Sequence, residues 1–165
     1  MKQPIRPLPG YTFVDASSRD LAPGSATGSK VKIRLEDHSV AVPFTGTLVD
    51  YILDLDFPGR GWYVVDLDTA IPIYSDPVAV ILIQSRGGAG DDFLGDIPTH
   101  DPQGKKIIYY YKNPLEEMLL NPKSTLKEVT INVAVIRDRV ILAEKRLSRS
   151  QLWVHSFATA QKAST

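Results

Sequence analysis

Apolar and polar residues alternate with a period of two along much of the chain, the pattern of half-buried β-strands. The clearest stretch runs from Val49 to Ile71. Val49, Tyr51, Leu53, Leu55 and Phe57 take odd positions before Pro58-Gly59-Arg60-Gly61, and Tyr63, Val65, Leu67, Thr69 and Ile71 take them after it. Asp50, Asp54, Asp56, Asp66 and Asp68 fall on even positions. Successive strand residues face opposite ways, so the pattern predicts a hairpin with one apolar and one acidic face. Ile52 and Val64 are the exceptions, apolar residues on the acidic side.

The same reading extends along the chain. Tyr11–Val14 predicts a short first strand. Lys30–Leu35 and Val40–Phe44 predict a hairpin that turns through Glu36-Asp37-His38-Ser39. Val78–Ile83 is apolar throughout, as in a central strand covered on both sides. Lys106–Lys112, Val129–Val135 and Leu152–Phe157 read as further strands. Asn113-Pro114 opens a short helix over Leu115–Leu120, with Glu116 and Glu117 suited to its positive end, and Asn121-Pro122 closes it. Residues 140–148 read two ways. They form the return arm of a hairpin through Arg137-Asp138-Arg139, or a helix spaced on Ile136, Val140, Ala143 and Leu147. β-Branched Val140 and Ile141 favour the strand.

Many short strands with turn signals between them, one short helix and no repeat of 20–50 residues predict an all-β, mainly antiparallel fold. A β-sandwich or jelly roll is the first expectation and a partly closed β-barrel the alternative. Residues 1–10 read as an extended Pro-rich arm, 11–157 as a single domain and 158–165 as a C-terminal tail.

Composition narrows the chemistry. The 165 residues include no cysteine, which excludes disulfides, thiolate catalysis and Cys-based metal sites. The N-terminus lacks the apolar segment of a secretory signal, and no run is long enough for a membrane helix. Formal net charge is zero but unevenly placed. Residues 1–100 carry 8 Lys/Arg against 13 Asp/Glu, and residues 101–165 carry 11 against 6. The balance argues against a dedicated nucleic-acid binder. The polarity suits a contact between the two parts of one chain, or between copies.

Several groups invite a functional reading. The repeated Asp54-Leu55-Asp56 and Asp66-Leu67-Asp68 would set carboxylates opposite each other if they pair across the turn, and Ca²⁺ would relieve that repulsion. No EF-hand spacing accompanies them, and no cofactor is otherwise expected. Ser85–Lys105 is a long irregular segment holding Gly87, Gly88, Asp91, Asp92 and His100. Its glycines lack the Lys-Ser/Thr of a phosphate-binding loop. Tyr109, Tyr110 and Tyr111, between lysines, suit core or an interface more than base stacking. Pro4, Pro7, Pro9, Arg137 and Arg139 complete the expected interface set. No Gly-x-Ser-x-Gly or His-Glu-x-x-His motif is present.

These observations lead to the expectation of a non-enzymatic structural subunit. It would act through self-association with copies of itself and other structural proteins of an assembly, and a virion (capsid, decoration or tail-associated protein) is the expected setting. The alternatives are a binding module for carbohydrate, peptide or cation, and a small hydrolase using His100 and acidic residues.

Overall fold

A computed structural model describes residues 11–15, 24–36, 42–54, 61–73, 76–85, 100–110, 114–136, 146–147, 150 and 152–163. In chain order the elements are β1 (Tyr11–Asp15), β2 (Lys30–Leu35), β3 (Phe44–Asp54), β4 (Gly61–Ile73), β5 (Asp76–Ser85), β6 (Lys106–Tyr110), α1 (Pro114–Leu120), β7 (Val129–Ile136), β8 (Arg146–Leu147) and β9 (Leu152–Lys162).

Six antiparallel strands follow the order β2-β9-β7-β5-β4-β3, and β3 pairs back onto β2. The sheet therefore closes into a barrel, the alternative expected from sequence, and does not split into the two layers of a jelly-roll sandwich. β8 adds to the outer end of β3 in parallel, through Leu53↔Arg146 and Asp54↔Leu147. β1 and β6 form a separate parallel pair. Among the described residues, no helix is long and apolar enough to cross a membrane.

Closure depends on sharp local bending. β3 skips one residue against β4 between Leu48 and Asp50, and β9 carries an extra residue against β7 between Val154 and Ser156. Such bulges increase twist and bend a strand, as a small barrel requires. Gly46 adds a close approach. A Cβ there would meet Val65 Cγ1 at 2.6 Å and the Asp66 carbonyl at 2.8 Å.

The bulge in β3 also switches which residues face inward. Phe44 and Leu48 enter the lumen before it, Tyr51 and Leu53 after it. Val49, the extra residue, is left 46% exposed. The lumen is filled by these residues together with Val31, Ile33, Val65, Ile81, Ile83, Ile131 and Val133, and α1 adds Leu115, Met118 and Leu119. Ala158 and Ala160 also lie there, so the segment expected to be a tail is strand as far as Lys162. Small alanines fit where β9 passes between β2 and β7.

A second apolar cluster covers the outside of the barrel wall. It joins Ile52, Trp62, Val64, Leu82, Ala134, Leu147 and Leu152. Ile52 and Val64 are the two residues that broke the hairpin alternation. The acidic face expected there is thus partly a second core, over which β8 sits.

Candidate functional site

Two buried polar groupings flank the hairpin of β3 and β4, one inside the barrel and one outside. Tyr51 and Tyr63 are cross-strand partners at matching register. Both point inward, with ring centroids 5.0 Å apart in an edge-on arrangement at 68°. The Tyr63 hydroxyl accepts a hydrogen bond from the Ala26 backbone N–H at 3.2 Å. The Tyr51 ring and hydroxyl lie directly against Gly61. Gly61 has to be glycine at this point, because an added Cβ would overlap the Tyr51 ring.

Glu116 lies on the first turn of α1 and is 2% exposed. The sequence placed it at the helix start as a favourable charge. The structure turns it inward beside Leu115 and Leu119, onto the phenols. Desolvation raises the ionisation of both tyrosines well above the ordinary phenol value, and the Glu116 charge adds to it. Both therefore stay protonated at neutral pH.

Outside the wall, Trp62 and Asp54 are fully buried. The indole Nε1 donates to Asp54 Oδ2 at 3.2 Å. Gln84, on the neighbouring β5, donates from Nε2 to the Gly61 carbonyl at 3.4 Å. Trp62 and Tyr63 are consecutive, so one strand directs a hydrogen-bonded aromatic to each face of the wall.

The expected cation ligands are dispersed. Asp66 pairs with Thr47, while Asp54 continues past Leu53, the partner of Gly61. The two carboxylates thus stand at different levels of the hairpin and not opposite each other. Asp68 lies beyond Asp66, accepts from the Thr45 hydroxyl and pairs with Lys30 at 3.4 Å. Among the described residues, no three of His, Asp and Glu gather into a group able to hold a metal ion. Asp56 is outside the described residues.

His100 is exposed, and the adjoining Asp101 is used structurally. Asp101 Oδ1 accepts from the backbone N–H groups of Gln103 and Lys105, each at 2.9 Å, around Gly104 at φ +84°. Tyr109 and Tyr110 lie on β6, in register with Val14 and Asp15 of β1. Pro4, Pro7, Pro9, Gly87, Gly88, Asp91, Asp92, Tyr111, Arg137 and Arg139 fall outside the described residues, as does the expected hairpin over residues 137–142.

The sequence reading missed the Tyr51–Tyr63–Glu116 grouping. One signal was available: both tyrosines sit on the apolar parity of the hairpin, and so were already directed inward. No sequence feature of α1 marked Glu116 as their partner.

No family model matches the chain, and no solved structure matches it. One hundred residues are 31% identical to a protein of Taeniopygia guttata named Ferroptosis suppressor protein 1, covering 56% of this chain and 26% of that protein. The chain therefore spans about a quarter of the length of the relative it matches. The similarity is to a bird's cellular protein, and it overturns the expectation of a self-assembling virion or capsid subunit.

Proposed function

We propose that the chain is a non-catalytic barrel domain that acts in the suppression of ferroptosis, the process for which its relative is named. The observation that carries this reading is the similarity over 100 residues. A stretch that long takes in several strands of the barrel, beyond a single turn or hairpin. The geometry is consistent with it. The lumen is filled by the chain's own side chains, with the Tyr51 and Tyr63 rings packed edge-on against each other. In this reading the domain needs no bound cofactor.

The test is expression of the chain, at graded levels, in cells challenged with a ferroptosis inducer. Survival is expected to rise with the amount of protein, and an Ile83→Asp variant, whose core cannot form, is expected to give none. Equal survival with and without the folded protein would overturn the reading. Protection at trace levels, with measurable turnover of a substrate, would overturn its non-catalytic part.

A further inference from the structure

The outward face of β2 concentrates positive charge. Lys30, Lys32 and Arg34 alternate with Val31, Ile33 and Leu35, so the apolar three fill the lumen and the cations all stand exposed on the outside. Apart from Lys162 at the end of β9, the six barrel strands carry no other Lys or Arg. Strand lysines commonly guard an open sheet edge against pairing. β2 has no open edge, because β9 and β3 pair with it on either side. Edge protection therefore does not account for the row. We propose that it is a docking surface for an acidic peptide segment, bound extended along β2 with carboxylates at alternate positions.

The spacing decides the kind of partner. Residues two apart on a strand lie ~6.8 Å from each other. An extended peptide has the same repeat, so Asp or Glu at every second position meets Lys30, Lys32 and Arg34 in register. The neighbours on this face are Thr45 and Thr47 on β3, and Thr159 and Gln161 on β9. All four are uncharged and half-buried, and the longer cations rise between them as a ridge. Among the described residues, Lys32 and Arg34 have no acidic partner, whereas Lys30 pairs with Asp68 at 3.4 Å. Two of the three cations are thus open to carboxylates from outside. The Arg34 guanidinium can take one through two parallel hydrogen bonds.

The row is also short and bounded. Exposed Glu36 continues the alternation past Arg34 at one end, and Asp68 stands beside Lys30 at the other. A long polyanion such as a nucleic acid would run into these carboxylates, and a chain of zero net charge does not draw one in from a distance. A segment with two or three acidic residues fits between them. Phe157 lies across from Glu36, whose N–H donates to the Phe157 carbonyl. Ala158 beside it faces the lumen, so the Phe157 ring is on the outside, 46% exposed. It provides an apolar contact at the Arg34 end for a residue next to the acidic run. The inference stands on this face of β2, independently of the relative and its name.

The experiment is fluorescence anisotropy at low salt with the full chain and a labelled peptide, Gly-Asp-Ser-Asp-Ser-Asp-Phe-Gly. Saturable binding that weakens as salt is added is expected. A peptide of the same composition with its three aspartates contiguous is expected to bind several-fold more weakly. Lys32→Glu/Arg34→Glu is expected to weaken binding of the alternating peptide by at least about fivefold. Lys105→Glu/Lys123→Glu makes the same charge change at exposed sites off β2 and is expected to leave binding within about twofold. Circular dichroism reports folding. Should the charge reversal on β2 not fold, Lys32→Gln/Arg34→Gln carries the same test. No binding at low salt, equal affinity for the contiguous peptide, equal losses in the two charge-reversed variants, or tighter binding of an oligothymidylate overturns the proposal.

Discussion

The indole Nε1 of Trp62 donates a hydrogen bond to Asp54 Oδ2 across 3.2 Å, within the apolar cluster on the outside of the barrel wall. The carboxylate is fully buried, so the indole replaces hydration that Asp54 gave up on folding. A hydrogen bond to a charged group contributes roughly 1.5–3 kcal/mol. Trp62→Phe keeps an aromatic ring but removes the donor and part of the volume. It is expected to destabilise the protein by roughly 2–4 kcal/mol, seen as a lower urea midpoint at unchanged slope. Val49→Ala, at an exposed bulge, serves as the comparison and should stay within about 0.5 kcal/mol.

Gly61 and Tyr51 occupy space that only one side chain can fill. A Cβ on residue 61 would overlap the Tyr51 ring, which is held edge-on against Tyr63 and cannot swing away freely. Gly61→Ala is expected to cost about 1–3 kcal/mol as an overpacked site. The cost depends on the ring. In a Tyr51→Ala background, the same Gly61→Ala change should cost at least about 1 kcal/mol less, a coupling that a double-mutant cycle measures. Equal costs in both backgrounds would mean that the ring is not the obstacle.

Strand positions were legible because alternation reports burial directly. Lys30–Leu35 is strand over the residues its pattern marks, and the hairpin around residues 55–60 joins β3 to β4. Closure was less legible. It follows from register shifts between neighbouring strands, at Leu48–Asp50, Asp66–Ile71 and Val133–Ala134, and from the return of β3 to β2, and neither leaves a compositional mark. The second core was written in the sequence as Ile52 and Val64, but its cover comes from Leu147 and Leu152, about a hundred residues later. Glu116 was hidden for a similar reason. At a helix start a glutamate is favourable in solvent, and only the tertiary position of α1 makes it a partner of two phenols. Ala158 and Ala160 looked like a tail because small residues carry little hydrophobic signal, yet small residues are what the lumen admits at β9.

Leu147 tests the outer core. β8 contributes just Arg146 and Leu147, and Leu147 is completely buried against the wall. Leu147→Ala removes three carbons from a site whose rigid neighbours include Trp62, Leu82 and Leu152. A loss of roughly 2–4 kcal/mol is expected, the range for a buried leucine, and calorimetry should record a lower Tm. A change within about 0.5 kcal/mol would show that the barrel wall does not need its outer cover.

Tyr51 and Tyr63 make the fold sensitive to alkali. Burial, with the Glu116 charge behind it, raises both phenols above their ordinary value of about 10. Because the folded values are the higher ones, the tyrosines' contribution to stability is full below pH ~10 and is lost as pH rises past it. Two of the seven tyrosines are therefore expected to ionise only as the protein unfolds. Phenolate absorbance and circular dichroism followed together would show their step coinciding with loss of the fold. Ionisation of all seven with the dichroism unchanged would contradict it.

Asp68 gives the opposite sign on the acid side. The Thr45 hydroxyl first, and Lys30 second, hold its carboxyl below the usual range. A lowered folded value means that the contribution is complete above the unfolded value near pH ~4, and disappears as pH falls below it. Asp68→Asn should therefore be less stable than wild type at pH 7, and the two should converge on acidification. The effect is small, since Lys30 and Asp68 are each 43% exposed and water screens the pair. Salt separates its two parts. High ionic strength weakens the Lys30 contact but leaves the Thr45 hydrogen bond, so part of the difference at pH 7 should persist in 1 M NaCl. Complete loss in salt would assign the whole effect to Lys30, and a difference unchanged by salt would assign it to Thr45 alone.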